Sequence, residues 1–323
     1  MAREEFMVSL RCVVAGSSIA MVMTAGAASG QSYPVRPVRI VTTEIGGGTD
    51  VAARAVAQGL SLSLGNSVIV DNRGAVIAQE LVAKATPDGY TLLAGGTPFW
   101  IGPLLQKMPY DAVRDFLPIA ALTRSPSVLM VTPSLPVKSV KELIALAKSK
   151  PGELNYASGL SGTAPHLAAE LFKALADVNL VRITYKSSAA ALNGLLGGET
   201  QLTFGSAGSA APHVKAGRLR ALGVASAQPS ALVPDMPTIA ATVPGYESAN
   251  MNGIFAPART PAAIIKRLNQ EIQRILNTPA VKDKFFSGGV EVVGGSPEEF
   301  AATIKSEINR LGRIIKNAGI NAE

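Results

Sequence analysis

Short β-branched runs alternate with helical patterns from Pro37 onward. Val38-Arg-Ile-Val41 reads as a strand, and Gly46-Gly-Gly-Thr-Asp50 then opens a helix from about Val51 to Leu64. Val68 to Val70 is the next strand, Ile77 to Lys84 a helix, and Tyr90 to Leu93 a strand. This βαβαβ order predicts a parallel sheet with helices on its faces. A second set follows, with strands at Asn155–Ser158, Val181–Tyr185, Gln201–Phe204 and Leu219–Ala225. Leu167, Leu171 and Leu175 mark one helix of that set, and Ser188 to Leu196, stopped by Gly197-Gly198, marks another. Capping boxes start helices at Ser139-Val-Lys-Glu142 and Ser296-Pro-Glu-Glu299, and Thr260-Pro261 starts one with proline in its first turn. Phe300, Ile304, Ile308, Leu311 and Ile315 recur by threes and fours, so the last helix is amphipathic and packs on a core. Two αβ sets with C-terminal helices left over suggest two lobes, the first taking back the C-terminal segment.

The N-terminus breaks this pattern. Arg3 and Arg11 precede an apolar run from Cys12 to Met23, and small residues follow from Ala25 to Gly30. That is the order of a cleaved secretory signal peptide. The run, roughly a dozen residues, is short of the about 20 that span a bilayer, although an N-terminal anchor is the competing reading. Cys12 is the sole cysteine, so a mature chain would have no disulfide and no thiol nucleophile. Apolar residues are 47%, charged residues 16% and aromatics 5% of the 323 residues, and the net charge is +7 without a run of like charges. A diffuse basic surface suits small anions, and sparse aromatics give no base-stacking platform for nucleic acid.

Two glycine-rich strand-to-helix junctions are the candidate chemistry. One is Thr42-Thr-Glu-Ile-Gly-Gly-Gly-Thr-Asp50 and the other Ser158-Gly-Leu-Ser-Gly-Thr163. Glycine lets backbone amides approach a ligand, and a helix N-terminus adds orphan donors and a positive dipole end. One such junction per lobe, facing across a cleft, would clamp a carboxylate or phosphate. The competing reading is that the glycines only make tight turns, with Thr49, Asp50 or Thr163 as caps. Glu44 would face solvent or pair with a ligand amino group. The first junction lacks the G-x-G-x-x-G spacing of a dinucleotide site. No G-x-S-x-G elbow exists, and His166 and His213 have no partners at metal-ligand spacing. An enzyme is therefore not expected, nor a cofactor or metal. An exported hydrolase or isomerase using Ser161 or His166 is the reading from another class.

An ordered series of short motifs resembles the tripartite tricarboxylate transporter receptor family, also called the Bug family. It begins at Tyr33-Pro-Val-Arg-Pro-Val-Arg-Ile40 and Gly46-Gly-Gly-Thr-Asp-Val-Ala-Ala-Arg54. It continues through Asp71-Asn-Arg73, Pro87-Asp-Gly-Tyr-Thr-Leu-Leu93, Leu154-Asn-Tyr-Ala-Ser158, Gly162-Thr163, His166-Leu167 and Leu195-Leu-Gly-Gly198. Pro234-Asp-Met-Pro-Thr238 and Ala256-Pro257 complete it. The resemblance implies an α/β, periplasmic binding protein type II-like fold, with two α/β lobes and a hinged ligand cleft. Lobe 1 would comprise residues 31–128 and 250–323, lobe 2 residues 129–249, after a signal peptide over 1–30. It implies a monomeric periplasmic receptor for a small organic carboxylate, serving a two-component membrane permease or, alternatively, a sensor kinase. Ligand contacts carried over are Thr43, Gly46, Gly47, Thr49 and Asp50 in the first loop, with Ser158, Gly159, Gly162 and Thr163 in the second. His166 joins them as a cleft-side or structural residue, and Thr97 from a cleft loop running to Trp100. The chain departs from the family at Thr42-Thr43, where Pro-Phe is usual. The loop after Arg73 is about three residues short, and Asn250-Met-Asn252 stands where a tryptophan is usual.

Overall fold

A computed structural model describes residues 33–43, 45–159 and 163–318. The segment read as a signal peptide, with Cys12, and Glu44, Leu160, Ser161 and Gly162 lie outside the described residues. The chain divides into Met1–Val35 and a compact unit, Arg36–Glu323, which carries both lobes.

In the first half, β1 (Val38–Thr42), β2 (Val68–Asn72) and β3 (Thr91–Gly96) alternate with α1 (Gly48–Leu64) and α2 (Ala75–Ala83). The strands pair in parallel in the order β2-β1-β3, and the helices are the crossovers that parallel neighbours need. β3 leads directly into α3 (Thr97–Leu105), whose first turn holds Pro98. The segment read as a cleft loop from Thr97 to Trp100 is thus helical. Proline pre-sets φ at a helix start, where its missing N–H costs no hydrogen bond.

β4 (Phe116–Val131) is a strand of 16 residues that the sequence pattern does not reveal. It contains Pro118 and Pro126, and its register slips twice between Pro118 and Thr123, so no regular alternation survives. From Phe116 to Pro126 it pairs with β9 (Ala249–Pro257), which itself lies antiparallel to β3. From Ser127 it pairs instead with β7 (Leu202–Ser206) and β8 (Arg220–Val224). The second half is built on β5 (Asn155–Ser158), β6 (Val181–Thr184) and β7, all parallel. Its helices are α4 (Val140–Ser149), α5 (Ala164–Ala176), α6 (Ser188–Leu196) and α7 (Ala207–Lys215). Thus β4 and the approach to β9 are the strands that pass between the lobes. Ser248 ties that crossing: its amide donates to Ala225 O at 2.8 Å, and its carbonyl accepts from the Ser127 amide at 3.3 Å.

The C-terminal segment, α8 (Ala262–Leu276), α9 (Pro279–Ser287), β10 (Glu291–Val292) and α10 (Pro297–Ala318), returns to the first lobe. Both serines cap their helices, the Glu142 amide donating to Ser139 Oγ and the Glu299 amide to Ser296 Oγ, each at 3.1 Å. Glu299 completes the box by accepting from the Ser296 amide, while Glu142 accepts from the Lys138 amide one residue earlier. Thr260 does not cap α8; its hydroxyl donates to Pro257 O. α10 buries Phe300, Ile304, Leu311 and Ile315 and packs on β4, α3 and α5. Each lobe has its own aromatic cluster. In the first, Phe99 meets Phe116 and Phe255 edge-on at 4.8 and 5.0 Å. In the second, Phe172, Phe204 and Tyr246 meet at about 6 Å.

Candidate functional site

Both glycine junctions sit at the carboxyl ends of parallel strands, where open α/β sheets place their ligand crevices. The first runs from the end of β1 into α1. Gly47 is the N-cap of α1 and offers no side-chain oxygen to the first-turn amides. Gly46 has φ +79°, a conformation that disfavours any side chain.

What holds this loop is a buried carboxylate. Asp50 is 2% exposed. It accepts from the Gly46 amide at 2.9 Å, from Asn72 Nδ2 at 2.8 Å and from Arg54 Nε at 3.1 Å. Asn72 also donates to Thr43 O at 2.8 Å and accepts from Arg54 at 2.7 Å. Burial alone would raise the Asp50 carboxyl. The hydrogen bonds from Arg54, Asn72 and the Gly46 amide outweigh it and hold the group below the ordinary range. On the other side, Thr49 Oγ1 donates to Asn252 Oδ1 at 2.8 Å, and Asn252 Nδ2 donates to Thr123 Oγ1 at 3.1 Å. A Cβ on Gly96 would lie 2.9 Å from Asn252 Oδ1, so glycine there lets Asn252 reach α1. Thr97 is buried, and its Oγ1 accepts from the Met251 amide at 2.9 Å.

The second junction runs from β5 towards α5, and here the brace is a cation. Arg182 on β6 donates from Nε to Ser158 Oγ and from its terminal nitrogen to Gly159 O, both at 2.9 Å. Ser158 is wholly buried. A Cβ on Gly159 would stand 3.3 Å from the Ser188 amide and from Thr163, so the loop is packed against the start of α6. Thr163 is the N-cap of α5, with Pro165 in the first turn. His166 is buried in that same turn. His213 lies instead near the end of α7, with Nδ1 2.7 Å from an Arg218 guanidinium nitrogen.

A pocket lies where the two lobes meet. Thr97 of α3 and Ala164 and Leu167 of α5 line it, with Glu247 to Ala249 of the crossing segment and Glu307, Arg310 and Leu311 of α10. The helix starts after β3 and β5 therefore open onto a shared space. Glu307 is largely enclosed there, and burial pushes its carboxyl up. A hydrogen bond from Trp100 Nε1 at 2.7 Å and the Arg310 charge only partly offset that rise. Arg310 donates to Glu247 O at 2.6 Å, tying α10 to the crossing. Among the described residues no group of three His, Cys, Asp or Glu could hold a metal, and no helix is long and apolar enough to cross a membrane.

Asn72 and Asn252 stand out in the sequence only as motif positions, and Arg182 not at all; the bracing role of the three is not legible there. Each is a polar residue in a strand, and Asn252 is 203 positions from the threonine it holds. A polar side chain interrupting an apolar strand is the available signal, but it carries no partner's address.

Two α/β lobes joined by crossing strands, with both glycine junctions at the carboxyl ends of parallel strands, have the architecture of type II-like periplasmic binding proteins. Within that class the chain belongs to the tripartite tricarboxylate transporter family receptors, whose family model matches residues 52–320. It is similar to a UPF0065 protein from the tcbD-tcbE intergenic region of Pseudomonas sp. strain P51, 36% identical over 97% of this chain and 95% of that one. Protein BugT of Bordetella pertussis is 34% identical over 95% and 96% of the two chains. Among solved structures, Rpa4515 of R. palustris with adipate is 37% identical with a TM-score of 0.77, covering 90% of this chain and 99% of that one. MatC of Rhodopseudomonas palustris with bound malate is 28% identical with a TM-score of 0.73, covering 88% and 100%. The family and these neighbours are solute-binding proteins.

Proposed function

We propose that this protein is an exported, monomeric receptor that captures a small organic carboxylate in the cleft between its lobes, for tripartite tricarboxylate-type uptake. The supporting observation is that glycine-rich helix starts from both lobes, one of them lining a pocket with Thr97, lie at strand ends where backbone donors can meet an anion. Relatives holding adipate and malate favour the carboxylate class.

The proposed contacts are Thr43, Gly46, Gly47, Thr49 (through its amide) and Thr97 in lobe 1, and Ser158, Gly159, Gly162 and Thr163 in lobe 2. Asp50 serves through the loop shape it enforces, because its carboxylate is already satisfied. His166 supports the floor of the second loop. Lobe 1 spans residues 31–128 and 250–323 and lobe 2 residues 129–249, close to where β4 changes partners. Residues 1–30 are the signal peptide. Binding across the lobes favours the closed form by the ligand's differential affinity for it.

The test is a thermal-shift screen of the mature chain against adipate, malate, citrate, aspartate and aromatic acids, with a nicotinamide dinucleotide as control. A ligand at about 100 times its Kd adds about 2.7 kcal/mol and raises Tm by a few degrees. A selective shift with one carboxylate group supports the reading. A shift with the dinucleotide alone overturns it.

A further inference from the structure

A second region of lobe-to-lobe contact lies at the start of α7, where β7 ends one strand over from the β5 junction. The turn after α9, Gly288-Gly289, belongs to the first lobe, because β10 beyond it pairs with Thr123 and Arg124 in the first part of β4. Helix α7 belongs to the second lobe, because it continues directly from β7. The two touch backbone to backbone. A Cβ on Gly289, which has φ +72°, would lie 2.4 Å from Gly208 N, and one on Gly208 would lie 2.7 Å from Gly288 O. Neither backbone can yield as a flexible side chain would, so any side chain here must push the turn and α7 apart.

A few residues on, the same segment reaches lobe 2 again. Ser230, which is 4% exposed, donates to Glu291 Oε1 at 2.6 Å. The other carboxylate oxygen of Glu291 lies 3.7 Å from the Arg124 guanidinium, on the crossing strand itself. Ser125, just before β4 changes partners, donates to Gly289 O at 3.3 Å. Residues 288–291 thus grip the crossing strand with one set of contacts and the second lobe with another.

We propose that the Gly208–Gly289 backbone contact and the Ser230–Glu291 hydrogen bond form an interlobe latch that sets carboxylate affinity without touching the ligand. In the proposed latch, the swing of the second lobe about β4 near Pro126 that opens the cleft parts α7 from the Gly288-Gly289 turn. The latch therefore adds to the state in which the lobes are together, and the apparent Kd varies inversely with the fraction of molecules in that state. The affinity part rests on the receptor reading above. The latch itself does not.

The experiment uses the mature chain with Gly208→Val, Ser230→Ala and Glu291→Ala variants, and Gly198→Ala as control. Gly198 has φ +78° and open space around it, so its substitution strains the backbone without touching the other lobe. Small-angle scattering reads the radius of gyration without ligand, and calorimetry reads Kd for the best carboxylate of the screen. Gly208→Val should enlarge the unliganded particle and raise Kd about tenfold or more. Ser230→Ala and Glu291→Ala should each raise Kd about threefold, while Gly198→Ala lowers Tm and leaves size and Kd unchanged. Wild-type size and Kd in both Ser230→Ala and a folded Gly208→Val overturn the latch. If Gly208→Val does not fold, Ser230→Ala and Glu291→Ala decide on the same two readouts. If the wild type binds no carboxylate, the receptor reading fails, and particle size alone upholds or overturns the latch.

Discussion

The two glycine junctions look alike in sequence and are held by opposite charges. In the first, the buried Asp50 carboxylate pulls the Gly46 amide, Asn72 and Arg54 inward, so the loop's fixed negative charge is surrounded by donors. In the second, the Arg182 guanidinium reaches the loop from β6 and binds the Gly159 carbonyl and Ser158 hydroxyl. An anion approaching the first junction meets shaped backbone donors beside a carboxylate wrapped in its own partners. At the second it meets donors backed by a guanidinium close by. In the proposed site, one lobe would supply shape and the other electrostatic attraction. Removing each brace should therefore have different consequences.

The largest expected effect is on stability, from Asp50→Ala. It takes one acceptor from each of Arg54, Asn72 and the Gly46 amide and removes an acid from the first turn of α1. Denaturant unfolding should show a loss of about 3 kcal/mol. The pH dependence has a definite sign. A carboxyl held below its ordinary value stabilises the fold above about pH 4, and that contribution is lost as pH falls through the folded-state value. The gap between wild type and Asp50→Asn should thus be full at pH 7 and shrink in acid. A gap independent of pH would mean that Asp50 acts by shape alone.

The next effect is on binding. Arg182→Met keeps most of the side-chain stem and loses the bonds to both residues of the second loop. Kd for the carboxylate should rise about tenfold, equivalent to about 1.4 kcal/mol, with a smaller fall in Tm than Asp50→Ala gives. Because the substitution removes a charge, the wild-type advantage should also fall as salt is raised. An Arg182→Met variant with wild-type affinity at low salt would dissolve the contrast between the junctions.

This contrast is only half legible in the chain. Glycines between a β-branched run and a helix are local signals, and so α1, α6 and both serine caps stand at or near their expected bounds. β4 is not legible, because its prolines and register slips erase the alternation by which strands are recognised. α3 escapes for a related reason: Thr97-Pro98 looks like a loop until β3 is known to deliver it as a helix start. The braces stay hidden for a deeper reason. Asn252 is a strand residue whose role exists only because β9 lies beside β3 and β4, and that adjacency is a property of topology.

The smallest effect sharpens the comparison most. Thr49 Oγ1 either binds ligand or holds α1 to Asn252, and its observed bond to Asn252 Oδ1 commits it to the second task. Thr49→Val keeps the shape and strands the Asn252 oxygen, which should lower stability by about 1 kcal/mol. Kd should change by no more than about twofold, because the first-turn amide of residue 49 remains in place. Thr49→Ser restores the donor and should recover the lost stability. Were Thr49→Val instead to raise Kd about tenfold at unchanged Tm, the hydroxyl would be contacting the ligand. Side chains as well as backbone would then supply the first lobe's donors.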